Sequence, residues 1–580
     1  MAQTISGVTA GATTVPFQAG VPRLLSSYDP DAETAAALAS SENVASLRID
    51  LEPLVNDHSM EVATDGKISS GYAGAEYRSI VPTWPSIRRH ANAPDERGSS
   101  EVGGAVGTTV GAISVVNERA EAPNLRDDDD FSGRLDPWVD TYIWDQRPVT
   151  LSAVAVKRNT DEIVAGPLQL LKARTKGIAN ITTGGFQIEL GELIEQLQKT
   201  IQTVRLKGTG GVEGGPELAG VRPRIILGSP LNVEGLLVSS TPYPTYLLGR
   251  DSKGRRLQGI AAGYVGMNPL SPAQYVFDAA TNTVQVTSGL DATKRTTWDV
   301  IGAAETGVTP ADFFRYVLTD IGPLSSSDLD PVLLSVFSAL APFRCGWVIE
   351  PDDTYVTLLD KLLKPWAWWG HGASGKLGAG ILAPPDADFV DYRLPRDAIR
   401  SVTPLRQIMP RLAVTTGYSK NWTQVTEDGV AAAARSTERG KWSQQPHYRL
   451  GEPTDETLYA LYPSSDPPQD YVTPLLDADE ALVVHRIITS VMGSRWRPYR
   501  VVADARAVRF EPNRVIAFSW PRWDGVDVEA TFRIQSAELT GEGGLSVTLN
   551  VWGPADVYVL GADGADEYFA DHRGDPMRII

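Results

Sequence analysis

The sequence predicts a mainly β, multidomain chain with short helices, a β-rich α+β protein of several small β barrels or sandwiches. Glycine and proline, 53 and 40 of 580 residues, together make up about 16% of the chain against roughly 12% on average, so turns are frequent. Short apolar runs alternate with polar residues at period two, the pattern of half-buried strands. Helical spacing concentrates in one stretch, from about 309 to 364.

Residues 1–120 are rich in Ala, Gly, Ser and Thr with weak periodicity. They are expected to form an arm or a poorly defined β region that orders against neighbouring subunits. Asp127 to Asp130 follow. A calcium loop alternates its ligands and needs a bend glycine and a distal Glu, so four adjacent aspartates read as a solvated turn. On the competing reading, Trp138 and Trp144 nearby would be sugar platforms.

A β-rich domain is expected over 121–305, with strands in WVDTYIW from Trp138, PVTLSAVAV and EIVAG. Phe186, Ile188 and Leu190 alternate, then Leu193, Ile194 and Leu197 recur at helical spacing, which predicts a strand leading into a short helix. A glycine-rich connection at 206–233 precedes the apolar run Ile225 to Leu227, and Thr283 to Val286 reads as a further strand.

An α+β domain is expected over 306–424. Thr309-Pro310-Ala311-Asp312 resembles a capping box with proline in the first helical position. Asp330-Pro331 starts a second helix that ends before Pro342. Asp353 is expected to cap a third, with Tyr355, Leu358, Leu359, Leu362 and Leu363 on one core-facing side until Pro365. Residues 425–475, polar and rich in Pro, Ser and Asp, read as a loop insertion or linker. The C-terminal β domain, 476–555, carries the cleanest alternation. Val528, Ala530, Phe532 and Ile534, a GEGG turn at 541–544, then Leu545, Val547, Leu549 and Val551 predict a hairpin with one buried face. Residues 556–580 form a polar tail.

The net charge of −18 opposes wrapping nucleic acid, which needs clustered Lys and Arg, and is compatible with letting DNA pass through an acidic lumen. Cys345 is the single cysteine, so an intrachain disulfide and a cysteine-built zinc or iron–sulfur site are excluded. The first 22 residues lack Lys and Arg, and no apolar run approaches 18 residues. Neither a secretory signal nor a membrane span is expected, and the product is expected to be cytoplasmic when made. Asn180 and Asn421 head N-x-Thr triplets, read as coincidences.

Two stretches imitate phosphate loops. Glycines 208, 210, 211, 214, 215 and 220 would let backbone approach an anion, but no Gly-Lys-Ser/Thr follows. Gly370 to Lys376 matches G-x-x-x-x-G-K, yet Leu377 stands where a hydroxyl is needed for magnesium, and a strand and hairpin are expected there. The histidines at 58, 90, 371, 447, 485 and 572 show no metal-ligand spacing, and no G-x-S-x-G occurs. Cys345 lies in the apolar PFRCGWVI, a setting that raises thiol pKa and favours a packing role. A glycosidase carboxylate pair has no readable spacing. No catalytic, cofactor-binding or metal residue is assigned, no cofactor is expected, and the chain is expected not to be an enzyme.

Several blocks resemble, in order, the baseplate hub or tail-tip proteins of long-tailed bacteriophages and related gene-transfer particles. They are WDQRPVTLSAVAV (144–156), the strand and helix at 186–199, GTGGVEGGPELAGVRPRIILGSPLNV (208–233), GWVIEPDDTYVTLLDKLL (346–363), SRWRPYRVVADA (494–505) and FRIQSAEL…LSVTLNVWG (532–553). The family's similar G-x-x-EL-x-G-x-x-RP and G-x-x-x-NV runs make the third block the most specific. Residues 1–120 match nothing in it, and the cysteine cluster of some relatives is absent.

The resemblance implies a virion tail-tip protein assembled in the host cytoplasm, a mostly β homotrimer around the tail axis. It would close the tube, contact the distal tail protein, the tail tube or tape measure and the central fibre or spike, and let DNA pass without stably binding it. The alternatives are a tail-associated hydrolase of cell wall or polysaccharide, and a receptor-binding tail protein using exposed tryptophans.

Overall fold

In the computed structural model the described residues run from 30 to 554. Excepted are 41–42, 52–53, 56–66, 71–77, 80–84, 92–103, 117–141, 159, 161, 183–184, 192, 292, 365, 373, 387–389, 407–413, 452–468, 493–495, 521–528 and 541–544. Asp127 to Asp130, Trp138, the GEGG turn and the tail at 556–580 lie outside the described residues. Among the described residues strand accounts for 43% and helix for 23%, so the fold is mainly β.

Two large sheets share one core. The first runs Arg78–Ser79, Lys67–Ser70, Asn43–Leu51, Pro148–Lys157, Ile163–Thr182, Gly185–Gly191 and Ile113–Val116. The second orders Leu377–Ile381, Ala367–His371, Gly104–Val110, Ile87–Ala91, Ala530–Thr540, Ser546–Pro554, Trp496–Asp504 and Ile399–Pro404, with Val515–Phe518 and Tyr392–Arg393 branching from it. Leu47, Ile49, Leu151 and Ala153 of the first meet Val501, Phe532, Ile534 and Leu549 of the second. The C-terminal hairpin pairs antiparallel as the alternation predicts, Ala537 opposite Leu549. One residue departs from the pattern: Arg533 is buried too, its guanidinium donating to the Asn513 carbonyl.

Pairing crosses the expected divisions. Asn43–Leu51 lies antiparallel to Pro148–Lys157 along its whole length, and Ile87–Ala91 pairs with Ala530–Thr540. The described strands of residues 1–120 belong to these sheets, except Leu54–Val55, which pairs with Tyr142–Ile143 in a two-stranded sheet of its own. No sheet closes into a barrel among the described residues, because the edge strands of each remain unpaired with one another, so of the expected barrels or sandwiches the described sheets form sandwiches.

A smaller sandwich stands between the glycine-rich connection and the helices. One sheet orders Val233–Glu234, Thr296–Ile301, Gly259–Val265 and Asn268–Leu270, the other Leu236–Ser239, Thr245–Leu247, Thr283–Val286 and Tyr275–Asp278. Trp298 fills its centre among Val233, Val284, Val286 and Val300, with Tyr275 edge-on at 5.3 Å.

The helices fall where the spacing predicts them: Pro310–Arg315, continuing as a π-helical turn Tyr316–Asp320, then Pro331–Leu340 and Tyr355–Leu363. Thr309 and Asp312 form the capping box, and Asp330 caps the second helix by accepting from Val332 and Leu333. The third cap is Thr354 rather than Asp353, since Thr354 has extended backbone and accepts from Thr357. Asp353 turns back to accept from the Glu350 amide and pairs with Lys361 at 2.6 Å. Tyr355, Leu358, Leu359, Leu362 and Leu363 are all buried, each leucine contributing about 2 kcal/mol. They pack with Trp366, Trp369 and the helix Ala478–Met492 in a second core.

The polar stretch read as an insertion is packed where it is described. Val425, Val430 and Ala434 cluster with Met267, and Tyr448–Leu450 and Gln469–Val472 flank Val414–Tyr418 in a three-stranded sheet.

Candidate functional site at a buried polar junction

The glycine-rich connection is a closed loop whose donors face inward. Leu206 N–H donates to Val221 O at 2.9 Å and Gly220 N–H to Leu206 O at 2.8 Å, tying its base. Leu206, Leu218 and Val221 anchor it against Val238 and Leu247 of the small sandwich. Inside, Gly210 N–H reaches Gly214 O at 2.7 Å and Gly208 N–H reaches Glu213 O at 3.1 Å. The loop also brings its own carboxylate: Glu213 accepts from Arg250 at 2.8 Å and from the Lys207 amide at 2.9 Å. Those two hydrogen bonds hold the Glu213 carboxyl below the usual range. An anionic side chain already takes these donors, so the loop is no phosphate cradle.

The second imitation is a hairpin turn. Gly370 pairs with Gly378 and His371 with Leu377, while Trp368 lies beside Gly104 in parallel. Leu377 therefore opens a strand, and the helix N-terminus that would receive a phosphate is replaced by sheet.

Every described tryptophan is buried or half-buried, Trp422 and Trp520 being the half-buried ones, and Trp144 is 6% exposed, so it offers no sugar platform. Cys345 is buried, its thiol pushed up by burial, and its carbonyl accepts from Ser229 at 3.1 Å. His371 is buried and pushed down to about 4 by desolvation. His447 contacts Asp470 at 2.8 Å and His485 Nδ1 contacts the Thr416 hydroxyl at 3.0 Å, two separate pairs. His58 and His572 lie outside the described residues. Among the described residues no three His, Cys, Asp or Glu group as a metal site.

What the chain does assemble is a polar junction below the G-x-x-x-NV run. Gly228 N–H faces the Thr306 hydroxyl, its carbonyl accepts from Gly302 at 2.6 Å, and a positive φ of 58 turns the chain there. A Cβ on Gly228 would run into the Cys345 carbonyl, so only glycine lets these backbones cross. Asn232 follows, fully buried and also left-handed. Its side-chain amide donates to Asn421 Oδ1 and to the Thr423 carbonyl, both at 2.7 Å. Asn421 in turn donates to the Ser443 and Gln445 carbonyls, each at 2.8 Å. The buried Asn421 amide is therefore shielded from glycosylation, whereas Asn180 is exposed near the end of the strand Ile163–Thr182, beside Gln187.

An ion pair completes the junction. Asp299 accepts from the Asn232 amide at 2.8 Å and from Arg439 at 2.6 Å. Arg439 stacks over Tyr264 and Trp442, 4.4 Å from each ring centre. Removing Arg439 would leave the buried Asp299 carboxylate without its charge partner, a destabilising change. Beside it, Lys420 Nζ lies 3.7 Å above the Trp422 ring and 4.5 Å from Trp347, whose indoles meet edge-to-face at 5.0 Å. Burial lowers the Lys420 ammonium to about 8, opposed by Glu350 and Asp353 and aided by Lys361.

Chemically, the junction holds segments together: it joins the small sandwich to residues 421–446 through the Asn232–Asn421 amide contact and the Asp299–Arg439 pair. Sequence reasoning singled out Asn232 only as part of a marker and Asn421 only as a triplet. Asp299, Lys420 and Arg439 carried no motif, and the 140 residues between Asp299 and Arg439 hid their pairing.

No protein-family model and no curated protein sequence matches the chain. Solved structures similar to it include the 43 kDa tail protein of prophage MuSo2 from Shewanella oneidensis, 8% identical at a TM-score of 0.33, covering 87% of this chain and 98% of that one. The tail protein from Neisseria meningitidis MC58 is 8% identical at a TM-score of 0.33, over 88% and 96%. Prophage tail protein gp18 from Listeria monocytogenes EGD-e is 8% identical at 0.28, over 70% and 84%.

Proposed function

We propose that the chain is a structural protein of a bacteriophage tail and, within it, a baseplate hub subunit at the tail tip. The observation that carries this reading is that the sequence blocks resembling the hub family, though far apart in the chain, are partners in space. Ile225–Gly228 of the glycine-rich block pairs with Gly346–Ile349 of the next, Gly228 opposite Gly346. Trp496–Asp504 lies against Ser546–Pro554 along its whole length, and that strand pairs with Ala530–Thr540. The blocks thus share a framework, and the markers in them serve backbone crossing and buried polar contacts, which supports a structural reading.

In this reading the protein acts without catalysis. Three copies ring the tail axis, close the tube, join the distal tail ring to the fibre or spike, and open for DNA. Light scattering on the purified chain should give a trimer mass, and images of the particle should show a threefold ring at the tube end. A monomer that binds host sugar, or a zone of clearing on cell wall lost with one carboxylate substitution, would overturn it in favour of the receptor-binding or hydrolase alternative.

A further inference from the structure

Arg89 lies on the inner side of the second large sheet and is 4% exposed. Among the described residues it has one hydrogen-bonding partner, the Leu170 carbonyl on the facing sheet, and its Nε has none. It forms no ion pair among the described residues, Glu511 and Tyr392 acting on it only through space. A guanidinium cannot shed its charge to escape this setting as a lysine would, so burial leaves a net positive charge in an apolar core. Such a charge is strongly destabilising unless something offsets it.

Directly beside it the two sheets leave a cavity, lined by Ile87, Arg89, Leu170, Val508, Ala537, Leu539 and Val547. Arg89 is its only polar side chain, and the space suits about one water-sized occupant. A water there would accept from Arg89 but aim its own two protons at aliphatic groups, whereas ordered buried waters make about three hydrogen bonds. An occupant that only accepts, carries one negative charge and tolerates aliphatic walls fits both requirements. We propose that this cavity binds a single small monatomic anion, chloride in ordinary solution, against the Arg89 guanidinium, as a structural ion between the two large sheets.

By linkage, an ion bound only to the folded state raises stability with its concentration. The melting temperature of the full chain should therefore climb as chloride replaces gluconate at constant ionic strength, and level off on saturation. R89M should melt at one temperature across the series. Equal melting of the wild-type chain in both salts, or a chloride response that survives in R89M, overturns the proposal. Should R89M not fold, crystals soaked in bromide decide it. An anomalous peak at hydrogen-bond distance from Arg89 supports the ion, and a peak-free site, empty or holding water, refutes it.

Discussion

The loop at 206–221 and the hairpin at 367–381 are both rich in glycine and both imitate a phosphate loop, yet Gly210 of the first and Gly378 of the second serve opposite needs. In the loop, Gly210 has a φ of 93 and open space where a Cβ would go, so what matters is backbone handedness. In the hairpin, Gly378 would bring a Cβ to 2.5 Å from Leu333 and Gly380 one to 2.8 Å from Trp368, so what matters is room for large side chains. Glycine-rich sequence therefore reports a steric demand and leaves its kind open; a phosphate is one of several answers.

Substitutions separate the two demands, and the largest effect is expected outside both stretches, at Gly228, where a left-handed φ meets a backbone neighbour. Gly228→Ala combines a left-handed φ with a backbone clash, so a loss of about 4 kcal/mol or more is expected, read as collapse of soluble yield or melting temperature. Asn232→Gly keeps the left-handed turn but deletes the amide held by Asn421 and Thr423, with an expected loss of about 3 kcal/mol in denaturant unfolding. Asn232→Ala should lose about 1 kcal/mol more, the backbone share alone; equal losses would show that handedness there is free.

In the hairpin, Gly378→Ala should cost about 2 kcal/mol through overpacking on Leu333, and the double variant with Leu333→Ala should couple non-additively. Gly210→Ala, with nothing to strike, should cost only about 1 kcal/mol. A loss at Gly210 as large as at Gly378 would erase the distinction between the two stretches. Lys376→Ala should move stability by less than about 0.5 kcal/mol and leave calorimetric titration with magnesium ATP as flat as in the parent chain. A nucleotide signal that Lys376→Ala abolishes would restore the phosphate-loop reading of the hairpin.

Local features were legible because local physics sets them. Thr309 with Asp312, Asp330 before Pro331, and the stripe Tyr355 to Leu363 are helix signals complete within one turn or two, and they appear where the spacing puts them. The alternation of Phe532 and Ile534 with Val547 and Leu549 likewise needs only a hairpin, and its one exception is Arg533. The cap at Thr354 was missed by one residue because Asp353 and Thr354 are both good caps, and the choice rests on where the Asp353 carboxylate finds Lys361.

The sequence by itself determined the β-rich class, the helical segment, the buried inert cysteine and the absence of a complete phosphate loop, all consequences of side-chain period, caps and missing partners. Only the tertiary structure decided that 43–51 joins 148–157, that Asn232 meets Asn421, that Asp299 holds Arg439, and that Arg89 stands unpaired beside a cavity. The physical reason is that strand partners and buried polar pairs are chosen by burial and geometry across a hundred residues or more, a distance over which period and propensity carry no signal.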